Sequence, residues 1–341
     1  MLKNAAAHVL VRSKALAAFR HGASTVDHLL KRSALAPRAE RGALIFMFHG
    51  VAEEPSPYRY QVSRAYFQGF CDVVAEHYDV LPLAELESRR RAGALPARAV
   101  AITFDDGYAD NHDVAWPILK HHGLPATVFV STAAIGGEKL LWFHRLAHIF
   151  QTTQPAELPV NVGPWTFTLD TDGERETTVH RVAADLKKMA ATEREEWLAR
   201  LSEALGVHNF SPLKSEMLSW DQLRAMDAAG FCVEPHTVTH PILGAETIDV
   251  ATREIAESRE ILSHALGRKV SLFAYPNGKN EDMTPDVIRA VENVGFTAAF
   301  TAEFGAACPS NDPFKVPRVT AYAPTIAELE LQIERFFYKT V

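Results

Sequence analysis

From residue 44 onward, short apolar runs alternate with longer segments of helical periodicity. The apolar runs are the strand candidates Leu44–Phe48, Val100–Phe104, Ala126–Val130, Phe231–Glu234, Leu272–Tyr275 and Thr297–Thr301. The helix candidates between them include Ala65–His77, Asp113–His122, Ile248–Leu266 and Thr284–Val294. Strands that alternate with helices form parallel sheets through right-handed crossovers. The sequence therefore predicts an α/β barrel or doubly wound sheet, with chemistry at the carboxyl ends of the strands.

The composition is that of an ordinary soluble protein, and it limits which partners and which cellular location we expect. The chain has 341 residues and a net charge of −7, which argues against nucleic acid as the main partner. Its three cysteines lie far apart and favour neither a disulfide framework nor a cysteine metal site. No run approaches the ~18 apolar residues of a membrane span. Arg12 and Lys14 interrupt the apolar stretch near the N-terminus, so we expect no secretory signal and a cytoplasmic location.

Two segments break the alternation of strands and helices. Residues 1–40 predict an N-terminal helical segment that either packs on the domain or makes a peripheral membrane contact. Residues from about 140 to 215 are too many for an unstructured loop, and they predict an inserted, partly helical subdomain within a domain of residues 41–341. The main domain resumes at Ser219, which has capping-box spacing to Gln222 and begins a helix that stops at Gly230.

Two adjacent carboxylates, Asp105 and Asp106, directly follow a strand candidate in the stretch AITFDDGYAD. Burying both is costly unless something pairs with them, and like charges side by side push their pKa values apart. One interpretation is a cap or turn role together with Gly107. The other is a divided task, in which one carboxylate binds a metal while the second stays free to accept a proton.

A histidine pair, His236 and His240, comes just after the apolar run that begins at Phe231. Side chains four residues apart on a helix or tight turn lie on one face and can converge on a metal. Such pairs also arise by chance as turn histidines. At the same predicted rim as the two aspartates, however, two neutral imidazoles plus one carboxylate make up the ligand set of a hydrolytic metal site.

Two more segments lie at the same predicted rim. The strand candidate Leu272–Tyr275 ends in Pro276, Asn277 and Gly278, which form either an ordinary turn or one that aims a backbone N–H at a developing oxyanion. His49 ends the first strand candidate, where it is either a hydrogen-bonded rim residue or a proton donor to a leaving amine.

These motifs resemble those of the polysaccharide deacetylases, carbohydrate esterase family 4, which share the nodulation-type deacetylase domain. The stretches TFDDG (residues 103–107), HTVTH (residues 236–240) and FAYPNG (residues 273–278) match three family motifs in order. The resemblance covers roughly residues 43–135 and 218–320, and it leaves the N-terminal segment and the insertion outside. It implies a distorted (β/α)7 barrel that carries the insertion as a partly helical subdomain.

The resemblance also implies a role for each motif residue. Asp106, His236 and His240 are expected to bind a divalent metal, with zinc as the first candidate and cobalt, manganese or nickel as alternatives. Asp105 is expected to act as the general base that activates a water molecule. The backbone N–H of Asn277 is expected to stabilise the oxyanion together with the metal.

The general acid and the residue that orients the base depart from the common family pattern. The usual late Leu-x-His motif is missing, and FMFHGV instead resembles a circularly permuted branch in which the acid histidine precedes the first motif. His49 is therefore the expected acid. Ala274 occupies the position at which many members have an arginine that orients the base. Arg318, in KVPRVTAY, follows the last apolar segment and is the expected substitute.

The implied reaction removes an N-acetyl group from an amino-sugar-containing carbohydrate, such as a cell envelope polysaccharide, and releases acetate. Tyr108, Trp142 and Tyr275 are the candidate aromatic residues for stacking on sugar faces, with packing inside the insertion as the alternative for Trp142. An insertion that caps the rim would favour an oligosaccharide, a chain end or a lipid- or nucleotide-linked sugar over an extended wall polymer.

Two other functions stay open at this point. One is a deformylase or amidase that acts on a non-polymeric N-acyl compound at the same metal site. The other is a non-catalytic barrel that binds glycans or metal, which the joint presence of Asp105, Asp106, His236, His240 and His49 disfavours. A phosphoryl-transfer enzyme is a poor fit because the sequence has no glycine-rich phosphate loop.

Overall fold

The computed structural model describes residues 42–154, 160–169 and 171–339, and a parallel sheet forms its centre. The barrel strands of this sheet are β1 (Leu44–Phe48), β2 (Ala99–Phe104), β3 (Thr127–Val130), β4 (Cys232–Pro235), β5 (Leu272–Ala274), β6 (Ala298–Phe304) and β7 (Val316–Thr320). An eighth strand of two residues, Asp79–Val80, pairs with β2 outside this path. Parallel pairing runs in chain order from β1 to β4 and from β5 to β7, and β7 returns to pair with β1. The sheet is therefore a nearly closed (β/α)7 barrel with a seam between β4 and β5.

Side chains bridge this seam where backbone pairing is interrupted. The Glu234 carboxylate on β4 accepts hydrogen bonds from the N–H groups of Ser271 and Leu272, each at 2.8 Å. At the other end of the seam, Nδ1 of His236 donates to the carbonyl of Ala274 at 2.6 Å. The seam is thus closed by two side chains that lie two residues apart on the same face of β4, and the second of these belongs to the HTVTH motif.

The strands alternate between the barrel interior and the surrounding helices. In β2, Val100 and Ile102 pack in the large cluster that includes the helices, whereas Ala101 packs in a separate cluster of inward residues. Because side chains alternate with a period of two, Asp105 continues the inward row. A narrow barrel accommodates small inward residues such as alanine, and it positions any polar side chain at its mouth closely.

Helices cover the outside of the barrel and build the insertion. Their bounds are α1 (Arg64–His77), α2 (Leu83–Arg91), α3 (Trp116–His121), α4 (Trp142–Thr152), α5 (Asp172–Leu186), α6 (Ala191–Ala204), α7 (Trp220–Ala228), α8 (Ile248–Leu266), α9 (Pro285–Val294) and α10 (Ile326–Lys339). Local signals set the ends of the crossover helices α8 and α9. Thr247 and Thr284 are N-caps, Pro285 occupies the first turn, and Gly267 and Gly295 end the helices in left-handed conformation.

The insertion contains α4, α5, α6 and an antiparallel hairpin of Val160–Val162 with Trp165–Phe167. These elements share a hydrophobic cluster of their own, which includes Trp142, Phe150 and Leu198. The predicted division into a barrel domain and an inserted subdomain stays a prediction, although this separate cluster agrees with it. The predicted N-terminal segment of residues 1–40 lies outside the described residues.

The six strands predicted from the sequence correspond to β1 through β6. The sequence candidates omit β7, because Pro317 and Arg318 interrupt its apolar character. The predicted helix Asp113–His122 is instead a π-helical turn, Asn111–Ala115, followed by α3. In the described segments, no helix combines the length and the apolar character that crossing a bilayer requires.

Candidate active site and metal centre

The carboxyl ends of the strands and the insertion surround a cavity of about 270 Å³. We call its two sides the barrel wall (His49, Asp105, Asp106, His236, His240 and Asn277) and the insert wall (Trp142, Phe143, His144, Leu146, Val179, His180, Ala183 and Lys187). The structure therefore brings the predicted metal ligands, base, acid and oxyanion donor to one cavity. Arg318 lies behind the barrel wall, on β7.

Asp105 is held by a buried arginine. The residue is 3% exposed, and Nη1 and Nη2 of Arg318 lie 2.7 Å and 2.6 Å from its two carboxylate oxygens. Arg318 also donates to the Thr301 carbonyl and to Oγ1 of Thr103. Burial acts to raise the pKa of Asp105, but the charge and hydrogen bonds of Arg318 help to lower it to about 2. Asp105 is therefore an ionised carboxylate of fixed orientation at neutral pH.

Asp106 leaves the strand in a different direction from its neighbour Asp105. Its φ of 77° lies in the left-handed region, and Gly107 follows with a φ of 87°. This turn places Oδ1 of Asp106 at 3.3 Å from Nε2 of His240 and at 3.7 Å from Nε2 of His236. The adjacent carboxylates thus face different partners.

The loop that contains the two histidines is held on both sides. Oγ1 of Thr237 accepts from the His240 N–H at 3.1 Å, and Ser131 donates to the His236 carbonyl at 3.0 Å. Glu254 on α8 accepts from the N–H groups of residues 238 and 239. In the described part of the chain, non-glycine residues with positive φ are Asp106, Thr237, His240 and Asn277. Such backbone strain persists where surrounding contacts fix it, and it clusters at functional sites.

Asp106, His236 and His240 form a compact and buried donor set. Their ligating atoms all lie within 4.8 Å of one another. The bond from Nδ1 of His236 to Ala274 leaves Nε2 as the nitrogen with a free lone pair. Burial lowers the pKa of His236 to about 4 and that of His240 to about 3, so both rings are neutral at pH 7. One carboxylate and two neutral imidazoles fit a divalent transition metal such as zinc.

The turn after β5 is fixed beside this donor set. Asn277 has a φ of 59°, and its side-chain amide donates to Asp282 at 2.6 Å. Gly278 also has a positive φ, and a Cβ there would lie 2.7 Å from the backbone nitrogen of Ala302. The N–H of Asn277 has no acceptor among the other described residues, so it can donate to a ligand at the cavity edge.

His49 directly follows β1, continues its inward row and lines the cavity. Its Nδ1 is buried and has no partner among the residues that the structure describes, and the ring of Tyr60 lies 5.4 Å away. Burial lowers the pKa of His49, while Asp106 and Asp105 act in the opposite direction. The imidazole is therefore neutral at neutral pH in the free protein.

The three predicted sugar-stacking residues all line the cavity, but each is at most 3% exposed. Tyr108 packs against the ring of His144 at 4.7 Å. The Tyr275 hydroxyl donates to the Phe314 carbonyl, and Trp142 belongs to the hydrophobic cluster of the insertion. Their role in substrate binding stays a prediction.

Sequence reasoning missed many of the residues that line the cavity, and three of these are instructive. Tyr60 is 55% exposed above His49, Lys187 lies at the end of α5, and His144 points into the cavity from α4. The histidine on the otherwise apolar side of the α4 stretch WFHRLAHIF was a usable signal for His144. Tyr60 and Lys187 depend on how a loop and the insertion dock, which the sequence pattern does not specify.

Comparison with known families places these motifs in one domain. A family model described as polysaccharide deacetylase matches residues 92–299. The poly-beta-1,6-N-acetyl-D-glucosamine N-deacetylase of Staphylococcus epidermidis is 26% identical over 239 residues, which cover 70% of this chain and 60% of that protein. The protein of the same name from Staphylococcus aureus is 23% identical over 261 residues, covering 76% and 67%. The chain spans only part of the length of these curated relatives, from 51% of a protein of Bacillus subtilis to 60% of the protein of Staphylococcus epidermidis.

Solved structures share the fold. The deacetylase PplD of Streptococcus pyogenes, solved with acetate, superposes with a TM-score of 0.58 at 20% identity, covering 86% of this chain and 98% of that one. IcaB of Ammonifex degensii gives a TM-score of 0.56 at 22% identity, with coverages of 85% and 97%. The similarity extends over the barrel and most of the described chain.

Proposed function

The chain belongs to the polysaccharide deacetylase family, and from this premise we propose that it is a metal-dependent hydrolase that removes N-acetyl groups from an amino-sugar-containing glycan. The main observation behind the proposal is the pair of adjacent aspartates with different partners. Asp105 is paired with Arg318, and Asp106 faces His236 and His240. This arrangement separates a general base from a metal ligand at neighbouring positions.

Asp106, His236 and His240 would hold the metal, and zinc is the proposed ion. A divalent cation bound there would act as a Lewis acid towards the acetamido oxygen and would increase the acidity of a nearby water. The hydrogen bond from His236 to Ala274 keeps one imidazole in the tautomer that such a site needs. The fixed loop around Thr237 would keep the second imidazole in place before substrate arrives.

Asp105 is the proposed general base. Its bidentate pair with Arg318 orients both carboxylate oxygens, and the low pKa keeps it ionised. A base of low pKa accepts a proton only from an acidified water, which is why the proposal needs the neighbouring cation. Arg318 is therefore a positioning residue that acts through Asp105.

Asn277 is proposed to stabilise the developing oxyanion, and His49 is proposed to protonate the leaving amine. As water adds to the amide carbon, the N–H of Asn277 donates to the developing oxyanion. When the C–N bond breaks, His49 delivers a proton to the departing sugar amine. Because the His49 ring is neutral before the reaction, it needs to be protonated first. Asp105 takes one proton from water and the leaving amine needs one, so the proton taken from water balances the proton delivered.

The proposed substrate is an oligosaccharide or the accessible end of a glycan that contains N-acetylated amino sugars. Two observations support this class. The relatives from staphylococci are named for deacetylation of poly-beta-1,6-N-acetyl-D-glucosamine. The insert wall, which includes Trp142, Phe143 and Leu146, closes one side of the cavity, and the ring of Phe143 lies 4.9 Å from the ring of His240.

Acetate release from defined substrates tests this function. Zinc-loaded protein is incubated with β-1,6-linked and β-1,4-linked N-acetylglucosamine oligomers, and products are identified by mass together with acetate and formate assays. We expect loss of acetyl groups that stops after chelation and resumes when zinc is restored. Formate release from N-formyl compounds without deacetylation of any sugar would favour the alternative deformylase instead.

A further inference from the structure

His144 is a buried residue of the insertion that the proposed chemistry does not use. It lies on α4, is 1% exposed and lines the same cavity as Asp105 and Asp106. Neither Nδ1 nor Nε2 of its ring has a hydrogen-bond partner in the part of the chain that the structure describes. Two buried nitrogens without partners are costly to the fold, so they call for a ligand inside the cavity.

The surroundings of His144 define what kind of group it can bind. The ring of Tyr108 lies 4.7 Å away and the ring of Phe143 lies 4.9 Å away. Burial lowers the pKa of His144 well below its ordinary value, and Arg59 and His240 act in the same direction. The imidazole is therefore uncharged, and it presents one N–H donor and one nitrogen acceptor.

This chemistry matches a sugar hydroxyl better than an ion. A hydroxyl both donates and accepts hydrogen bonds, as the neutral imidazole does. An anion would need a cationic partner, but the neutral ring supplies none, and the guanidinium of Arg59, which acts on His144, is already paired with Glu216 at 2.6 Å. Within residues 42–154, 160–169 and 171–339, the side chains close enough to share a metal are Asp106, His236 and His240, without His144.

We propose that His144 is a substrate-binding residue, contributed by the insertion, that exchanges hydrogen bonds with a hydroxyl of the amino sugar whose acetamido group lies at Asp105 and Asp106. The inference rests on the proposed deacetylase function, and it identifies a sugar hydroxyl as the group that the insert wall recognises. The insertion then selects sugars as substrates, while the barrel wall performs the hydrolysis.

Two substitutions at this position and one matched control test the proposal. His144→Phe keeps a ring of similar size but removes both nitrogens, whereas His144→Asn keeps one donor and one acceptor. His148→Phe makes the same change one turn further along α4, at a partly exposed residue outside the cavity whose Nε2 contacts the Asn209 carbonyl. Each zinc-loaded variant is assayed with β-1,6-linked N-acetylglucosamine oligomers and with para-nitrophenyl acetate, which has no sugar.

We expect His144→Phe to raise KM for the sugar oligomer by about tenfold or more, with kcat nearly unchanged. Hydrolysis of para-nitrophenyl acetate should stay within about twofold, because that substrate has no hydroxyl for His144 to bind. His144→Asn should recover part of the loss in KM. His148→Phe should leave both activities unchanged.

The outcomes separate this inference from the function on which it rests. If wild-type protein deacetylates the oligomer and His144→Phe has the same KM, His144 does not bind the sugar. Equal losses of sugar and ester activity, or a loss of bound zinc, would assign His144 a structural role and also overturn the proposal. If wild-type protein hydrolyses the ester but deacetylates no sugar, the proposed function fails first and the inference falls with it.

Discussion

The barrel and the insertion differ in how their buried arginines are paired, although Nδ1 of His49 and Nδ1 of His240 on the barrel wall also lack partners among the described residues. On the barrel side, Arg318 donates to two carboxylate oxygens, a carbonyl and a hydroxyl. On the insert side, Nε and Nη1 of the equally buried Arg194 have no partner among the described residues, and its guanidinium lies 4.8 Å above the Trp142 ring. His144 repeats the contrast, since both of its nitrogens also lack partners.

This difference separates two tasks within one cavity. Groups that are paired inside the protein keep their geometry before the substrate binds, which is what bond-breaking steps require. Groups that are buried but unpaired gain hydrogen bonds only when a ligand or water fills the cavity. The Asp105–Arg318 pair is therefore suited to chemistry and His144 to recognition, and substitutions on each side should have different signatures.

The largest effect is expected from Asp106→Asn on the barrel wall. The substitution removes the negative charge from the donor set while it changes almost no volume. Even outer-sphere partners contribute about 10- to 100-fold to metal affinity, and the loss of a ligand should exceed that. We expect purified protein with little bound zinc, measured by elemental mass spectrometry, and little acetate release. Normal zinc content in this variant would show that Asp106 is not a ligand.

A smaller but still severe effect is expected from Asp105→Asn, the matched change at the adjacent position. Loss of a general base typically costs about 10²- to 10⁴-fold in rate. Because Asp105 faces Arg318 rather than the histidines, zinc content should stay at the wild-type level. Metal analysis and kcat for oligomer deacetylation check both parts. Full activity would contradict the division of work between the two aspartates.

The barrel wall was largely predictable from the sequence, because its residues follow strands at fixed parity. Asp105 directly continues an inward row of β2, and His236 continues the row that begins at Cys232 on β4. The four-residue spacing of His236 and His240 then predicted that the two side chains converge on a metal, which strand alternation alone does not determine. The left-handed turn at Asp106, which aims this carboxylate at the histidines, is visible only in the structure.

The insert wall was not predictable to the same degree. A helical pattern shows which face of α4 is apolar, but it does not show which surface that face meets. His144 becomes a cavity residue, and Arg194 a neighbour of the cavity-lining Trp142, only because α4, α5 and α6 pack together beside the barrel mouth. Arg318 is intermediate, since its sequence position after the last apolar segment indicated the role of orienting Asp105 but not the strand β7 that places it.

Arg318→Met should reduce stability and shift the pH dependence of activity. The substitution leaves the Asp105 carboxylate buried without its counter-charge, which typically costs about 3 kcal/mol or more in the free energy of unfolding. Without Arg318, burial raises the pKa of Asp105 above its present value of about 2. Since the base works only when ionised, the acid limb of kcat/KM should move to higher pH. Urea unfolding at pH 7 and a pH–rate profile measure these effects.

The sign of the stability effect also depends on pH. Because the folded-state pKa of Asp105 is lowered from 3.8 to about 2, the pair stabilises the fold above the unfolded-state pKa, and this contribution is lost as the pH falls through about 2. The difference in free energy of unfolding between wild type and Arg318→Met should therefore shrink in acid. Arg318→Lys is the matched control that keeps the charge but loses the bidentate geometry. A difference that is constant with pH would assign the effect to packing.

The smallest effect is expected from Arg194→Met, the corresponding change on the insert side. In the described structure Arg194 forms no ion pair within 4 Å, although Glu246, Glu195 and Glu254 lie close enough to act on its charge, so the main loss is the cation–π contact with Trp142, about 0.5–2 kcal/mol. Removing a buried charge whose burial already lowers its pKa offsets part of that loss. We expect the free energy of unfolding in urea to change by about 1 kcal/mol or less, with kcat for para-nitrophenyl acetate unchanged. A loss as large as that of Arg318→Met would mean that the insert side is as tightly paired as the barrel side, and the contrast between the two walls would not hold.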